Sequence, residues 1–146
     1  MYTLRPALPG DAPALQTLYA LCVDRAGWLP PEARLNPRFD LVSENELVHV
    51  AVASSGALLG LVSVYVSSAF VHHLYVHPAH HGQGLGRNLL ASLRPVMRPP
   101  WQLKCLNTNH AALAFYKRQG WLPLSSGSGE HGPYVLLQWG VSHAVP

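Results

Sequence analysis

Apolar and polar positions change period several times along the chain, and each change marks an element. Leu15, Leu18, Tyr19 and Cys22 recur at i, i+3, i+4 and i+7, the spacing of one face of a helix. Asp11 is placed to cap that helix, Pro13 falls in its first turn, and the pattern ends near Asp24. Before it, Tyr2 to Arg5 reads as a short strand stopped by Pro6 and Pro9. Residues 27–40, GWLPPEARLNPRFD, carry three prolines and read as a loop or as a helix broken at Pro37. Val48, Val50 and Val52 then alternate with His49, Ala51 and Ala53, and Ser54-Ser55-Gly56 turns the chain into the apolar run Leu58 to Val66. That is a hairpin.

Ser67-Ser68 lead into a third strand, Ala69 to His77. Its β-branched and aromatic run breaks at Pro78, passes Gly82, Gly84 and Gly86, and enters a segment with Leu85, Leu89 and Leu93 at helical spacing. This helix is expected to end between Arg94 and Met97, ahead of Pro99-Pro100. Trp101 to Leu106 predicts another strand, and Asn109 stands where it would cap a helix ending at Gly120. Trp121 to Leu124 and Tyr134 to Trp139 are expected as a last antiparallel pair, with SSGSGEHG a flexible link between them. No repeat and no composition break divides the chain, so one domain over 1–146 is expected.

The strand, glycine loop and helix from Val71 to Leu93 carry the chemistry. Three glycines within five positions let several backbone N–H groups converge with no side chain in the way. The following helix start adds unpaired donors and partial positive charge, and together they describe a phosphate cradle. A nucleoside-triphosphate loop would need Gly-Lys-Ser/Thr here, whereas the residues are Leu85-Gly86-Arg87. A dinucleotide loop would need an acid about twenty positions on, but after Glu46 the only acid is Glu130.

The loop resembles the acyl-CoA loop of the GNAT superfamily of N-acetyltransferases, V-x-P followed by Arg/Gln-x-x-Gly-x-Gly/Ala. It reads Val76-His77-Pro78 and His81-Gly82-Gln83-Gly84-Leu85-Gly86. A second stretch resembles the family's other signature, Asn-x-x-Ala-x-x-Phe-Tyr-x-x-x-Gly-aromatic, at Asn109, Ala112, Phe115, Tyr116, Gly120 and Trp121. The openings RPALPGDAPAL and SSGALLGLVSVYV are similar to the family's first strand-to-helix junction and central hairpin. The resemblance implies a single α/β (α+β) domain with a mixed, mostly antiparallel sheet of about six to seven strands and about four helices. It also implies acetyl transfer from acetyl-CoA to a primary amine of a small molecule, protein lysine or N-terminus. The alternative is a non-catalytic acyl-CoA-binding domain that acts as a sensor or partner module.

By the same resemblance, residues His81, Gly82, Gln83, Gly84, Leu85, Gly86 and Arg87 hold the cofactor's diphosphate, and the pantetheine arm lies along Leu74, Tyr75 and Val76. The Val76 N–H polarises the thioester carbonyl, Asn109 meets the arm's amides or caps its helix, and Tyr116 protonates the departing sulfur. His81 replaces the family's Arg/Gln, a change expected to weaken cofactor binding modestly. Family members often place a glutamate or histidine on the strand before the loop as base; here the candidates are His72 and His73, with solvent as the alternative. Neighbouring strand residues face opposite ways, so at most one should face the substrate, and the family's register favours His72. Trp28, Leu29 and Phe39 are the candidate lining of the acceptor pocket, which residues 27–40 and the loop 125–132 border.

Charge sharpens this picture. Residues 1–46 carry a net −2 and residues 47–146 a net +5, and the basic part holds both signatures, as suits a polyanionic cofactor. Basic residues form no dense run, so nucleic acid is not expected as a partner. His77, His80 and His81 invite a metal reading, but no carboxylate or thiolate lies near them in sequence and no metal is expected. Cys22 and Cys105 read as reduced core thiols. The longest apolar run is too short to span a bilayer, and a cytoplasmic monomer or homodimer is expected.

Overall fold

The computed structural model describes residues 1–141, so the last five residues of the expected domain lie outside the described residues. Seven strands form one sheet: β1 (Tyr2–Pro6), β2 (Leu47–Ala53), β3 (Leu58–Tyr65), β4 (Phe70–Val76), β5 (Trp101–Leu106), β6 (Leu122–Gly129) and β7 (Gly132–Trp139). Their order is β1-β2-β3-β4-β5-β7-β6, antiparallel everywhere except between β4 and β5. Four helices flank them: α1 (Ala12–Asp24), α2 (Phe39–Val42), α3 (Leu85–Ala91) and α4 (His110–Arg118).

The alternation of each strand divides the apolar residues between two layers. Val50 and Leu61 face α1 and α2, where they pack with Leu15, Leu18, Tyr19, Cys22 and Phe39. Ala51, Val62 and Val64 face the other way, against Leu85, Leu89, Leu93 and Trp101. Because β3 is covered on both faces, its sequence is an unbroken apolar run, with Leu58 to Val64 all buried. Gly60 allows this closeness: a Cβ there would stand 3.0 Å from Leu89 Cδ1 and 3.1 Å from the Tyr75 carbonyl oxygen.

The parallel strands barely pair. Phe70 opposite Gln102 is the one register pair of β4 and β5, after which the strands separate and leave a cleft. Cys22 and Cys105 are free and buried, and burial pushes both thiols up to about 11.

Three local expectations need correction. Asp11 precedes α1 but makes no side-chain cap to it; its carboxylate instead accepts from the Leu8 amide at 2.7 Å and pairs with Arg5 at 2.7 Å. The glycine-loop helix has regular form only to Ala91 and continues to Met97 as turns. Residues 27–40 are the expected loop, holding a 3-10 turn at Pro31–Arg34 before α2 begins at Phe39, because the prolines prevent a longer helix. The Ser/Gly stretch after Leu124 is strand, not a flexible link: β6 runs to Gly129 and pairs along β7. Glycine is required within it, since a Cβ on Gly127 would fall 2.5 Å from the Tyr134 hydroxyl.

Candidate active site

All the residues expected to hold the cofactor line one cavity of about 870 Å3 in the cleft: Leu74, Tyr75 and Val76 on β4, His81 to Arg87 across the loop and the start of α3, Asn109 at the cap of α4, and Tyr116 on α4. Gly82 and Gly84 both have φ of +78°, a conformation that favours glycine and turns the loop back over the start of α3. Gly86 is small for another reason. A Cβ there would lie 3.2 Å from Phe115 Cζ, so the loop and α4 meet only because both signatures are satisfied together.

At the end of β4 the His77 amide donates to the Leu59 carbonyl at 2.8 Å. Strand amides alternate in direction, so the Val76 N–H points away from β3 and into the cleft. The adjacent Val76 carbonyl faces the same way and accepts from His81 Nε2 at 2.9 Å. An imidazole at the loop's first position therefore pins the loop to the strand. These features fit an acyl-CoA: an open strand edge for the amides of its arm and a side-chain-free turn for its diphosphate.

A second cavity, of about 560 Å3, lies on the other side of Tyr116 and shares Trp28, Leu74, Tyr75, Asn109 and Ala112 with the first. Burial, reinforced by the neighbouring Cys105 and Tyr75, pushes the Tyr116 phenol above its ordinary value, so it holds its proton at neutral pH. Asn109 accepts from the Ala112 amide at 3.2 Å and so caps α4 from within the cleft wall. Trp28 lines both cavities, held by its carbonyl's bond from Thr108 Oγ1 at 2.8 Å. Phe39 does not line either. Its amide donates to Gln16 Oε1 at 2.8 Å, which turns the ring inward against Tyr19, where it is buried.

The expectation that only one of His72 and His73 can face the pocket is corrected by a bulge. Ser63 pairs with His73 and Val64 with Val71, so His72 is the extra residue on β4 and alternation fails there. Both imidazoles line the second cavity, their ring centroids 3.9 Å apart. Burial, with the adjacent His72, pushes His73 down to about 3, so its ring is neutral, and its Nδ1 has no hydrogen-bond partner.

The strand lacks a carboxylate, as its sequence shows, but the fold delivers one from elsewhere. Glu46, in the turn before β2, has a fully buried side chain; Oε1 accepts from Ser63 Oγ at 2.5 Å and Oε2 lies 2.7 Å from His72 Nδ1. No periodicity or motif marks Glu46 in the sequence, since 26 residues separate it from His72 and only the β2-β3-β4 register brings them together. Glu46, His72 and His73 are also the group of three among the described residues whose ligand atoms, within 4.8 Å of one another, could hold a metal. His77, His80 and His81 do not converge: their rings engage the Ala79 amide, Gln83 Oε1 and the Val76 carbonyl respectively.

No curated protein sequence matches the chain. Solved structures do match over nearly its whole length. YjaB from Escherichia coli, in its apo form, superposes with a TM-score of 0.77 at 20% identity, over 94% of this chain and 97% of that one. The PaiA N-acetyltransferase of Thermoplasma acidophilum, solved with coenzyme A, gives 0.77 at 15% identity over 94% and 98%. YncA from Salmonella typhimurium, a putative acetyltransferase solved with acetyl-CoA, gives 0.70 at 23% identity over 100% and 98%. These likenesses concern the fold. The sequence itself, over residues 14–121, matches the acetyltransferase (GNAT) family, and with both signatures converging on one split-strand cleft, the chain belongs to that family.

Proposed function

We propose that the protein moves the acetyl group of acetyl-CoA to a primary amine by direct attack while both substrates are bound. One observation carries the reading: two cavities, one walled by the glycine loop and one by aromatic and imidazole side chains, meet at the buried phenol of Tyr116. Acetyl-CoA, when bound, supplies the activated thioester. The Val76 N–H donates to the carbonyl oxygen as negative charge gathers there. The amine nitrogen forms the new C–N bond as the C–S bond breaks, Tyr116 gives its proton to the leaving sulfur, and His72 takes the proton the amine sheds. Solvent resets both side chains. No metal takes part in this scheme.

The 560 Å3 cavity, bounded by Trp28, Phe70 and Tyr134, suits the body of a small amine or one terminal residue of a peptide. A thiol-release assay with acetyl-CoA and a panel of amines tests the reading. Tyr116→Phe is expected to lower kcat about 10- to 100-fold while leaving the dissociation constant for CoA within about twofold. Saturable CoA binding without release on any amine would instead assign the chain to acyl-CoA sensing, and absence of CoA binding would remove both.

A further inference from the structure

Burying a carboxylate completely is costly unless its oxygens are satisfied, and Glu46 satisfies both behind the imidazole of His72 that lines the acceptor pocket. Its partners are informative. A carboxylate oxygen only accepts, so the 2.7 Å contact to Oε2 requires His72 Nδ1 to carry the hydrogen. In a neutral imidazole the other nitrogen, Nε2, is then the lone-pair acceptor. Ser63 Oγ, itself buried, donates to Oε1 and fixes the carboxylate's rotation. Tyr65 stacks on the His72 ring with centroids 5.7 Å apart, and the bulge at His72 turns that ring away from simple alternation toward Glu46.

We infer that Glu46 is a positioning residue: it holds His72 in the Nδ1–H tautomer, leaving Nε2 to receive the amine's proton, and stabilises the imidazolium that results. This rests on the acetyl-transfer reading and adds the residue that makes His72 a competent base. Titratable groups facing that cavity include His73 on β4, Lys104 on β5, Tyr116 on α4, and Glu130 and His131 in the β6–β7 turn, and Tyr65 at the end of β3 faces the ring directly. None of these is hydrogen-bonded to His72; among the described residues its partner is the carboxylate of Glu46. The same bond occupies the oxygen and nitrogen that a metal would need, which favours the hydrogen-bonded reading over a Glu46–His72–His73 metal site.

The test uses the full chain, acetyl-CoA and an amine that the wild-type protein acetylates. Glu46→Gln is expected to reduce kcat roughly 10- to 1000-fold with CoA affinity unchanged. The deficit should shrink for a weakly basic amine that is already neutral at the assay pH, and Glu46→Asp should restore part of the rate. An unchanged rate, or a loss that ignores acceptor basicity, overturns the inference. Long-range 1H–15N NMR gives a readout without turnover: Nδ1 of His72 protonated in the wild type and no longer so in Glu46→Gln. An unprotonated wild-type Nδ1 overturns the inference even if acetylation proceeds, whereas failure to acetylate any amine overturns the transfer reading and His72's part as base, with the tautomer still decided by the NMR. Loss of activity on chelation with recovery on adding zinc would assign the trio to a metal and overturn it too.

Discussion

His73 is the side chain whose ionisation the fold opposes most clearly. Its ordinary pKa of 6.5 is pushed down to about 3 by burial, with His72 adding to the effect. Between those values the unfolded chain binds a proton that the native protein refuses, so stability present above pH 6.5 is lost as pH falls toward 3. His49, buried and bonded to Ser92 Oγ at 3.0 Å, is displaced in the same direction by burial. Asp11 acts in a lower window: the Arg5 guanidinium and the Leu8 amide hold it at about 2 against an ordinary 3.8, so its contribution fades only below pH 4. Urea unfolding at pH 6.5 and 4.5 should therefore show a loss of about 2 kcal/mol in the wild type, and a smaller one in His73→Gln. None of this is visible in the sequence, where nothing marks His73 as the buried imidazole and Glu46 is one acid among six in the first third of the chain.

The elements were largely legible, because their patterns are long and their punctuation is chemical. The periodic face of α1 and the β5 run Trp101–Leu106 read off the chain with their observed ends or nearly so. Sequence reasoning failed where pairing overrides composition: the serines and glycines of β6 have little strand preference, yet the ladder to β7 carries them. It failed again at the bulge, because an extra residue in one strand is a property of two strands. Packing between elements also sets a limit that one glycine exposes. Gly60 lies between Leu89 Cδ1 and the Tyr75 carbonyl, so Gly60→Ala should overpack the contact of α3 with β3 and cost about 1–3 kcal/mol, read as a lowered urea midpoint with unchanged m.

At the scale of the whole molecule, charge and topology act on the same cleft. Arg25, Arg87 and Arg118 line the larger cavity along with the loop imidazoles, while the smaller one is mostly aromatic and apolar. Raising salt from about 50 to 300 mM should thus increase the KM for acetyl-CoA several-fold by screening, with much less effect on the KM of an uncharged-bodied amine; steady-state kinetics at two salt concentrations checks this. No described helix is long and apolar enough to cross a membrane. The chain's letters alone determined the family, the glycine cradle and the Tyr116 helix, because those features depend on local backbone freedom and on side chains close in sequence. Only the tertiary structure decided the acceptor side, where Glu46, Ser63 and His72 come from three separate segments. Strand register and a bulge bring those groups within hydrogen-bonding distance, and neither is written in the residues that they join.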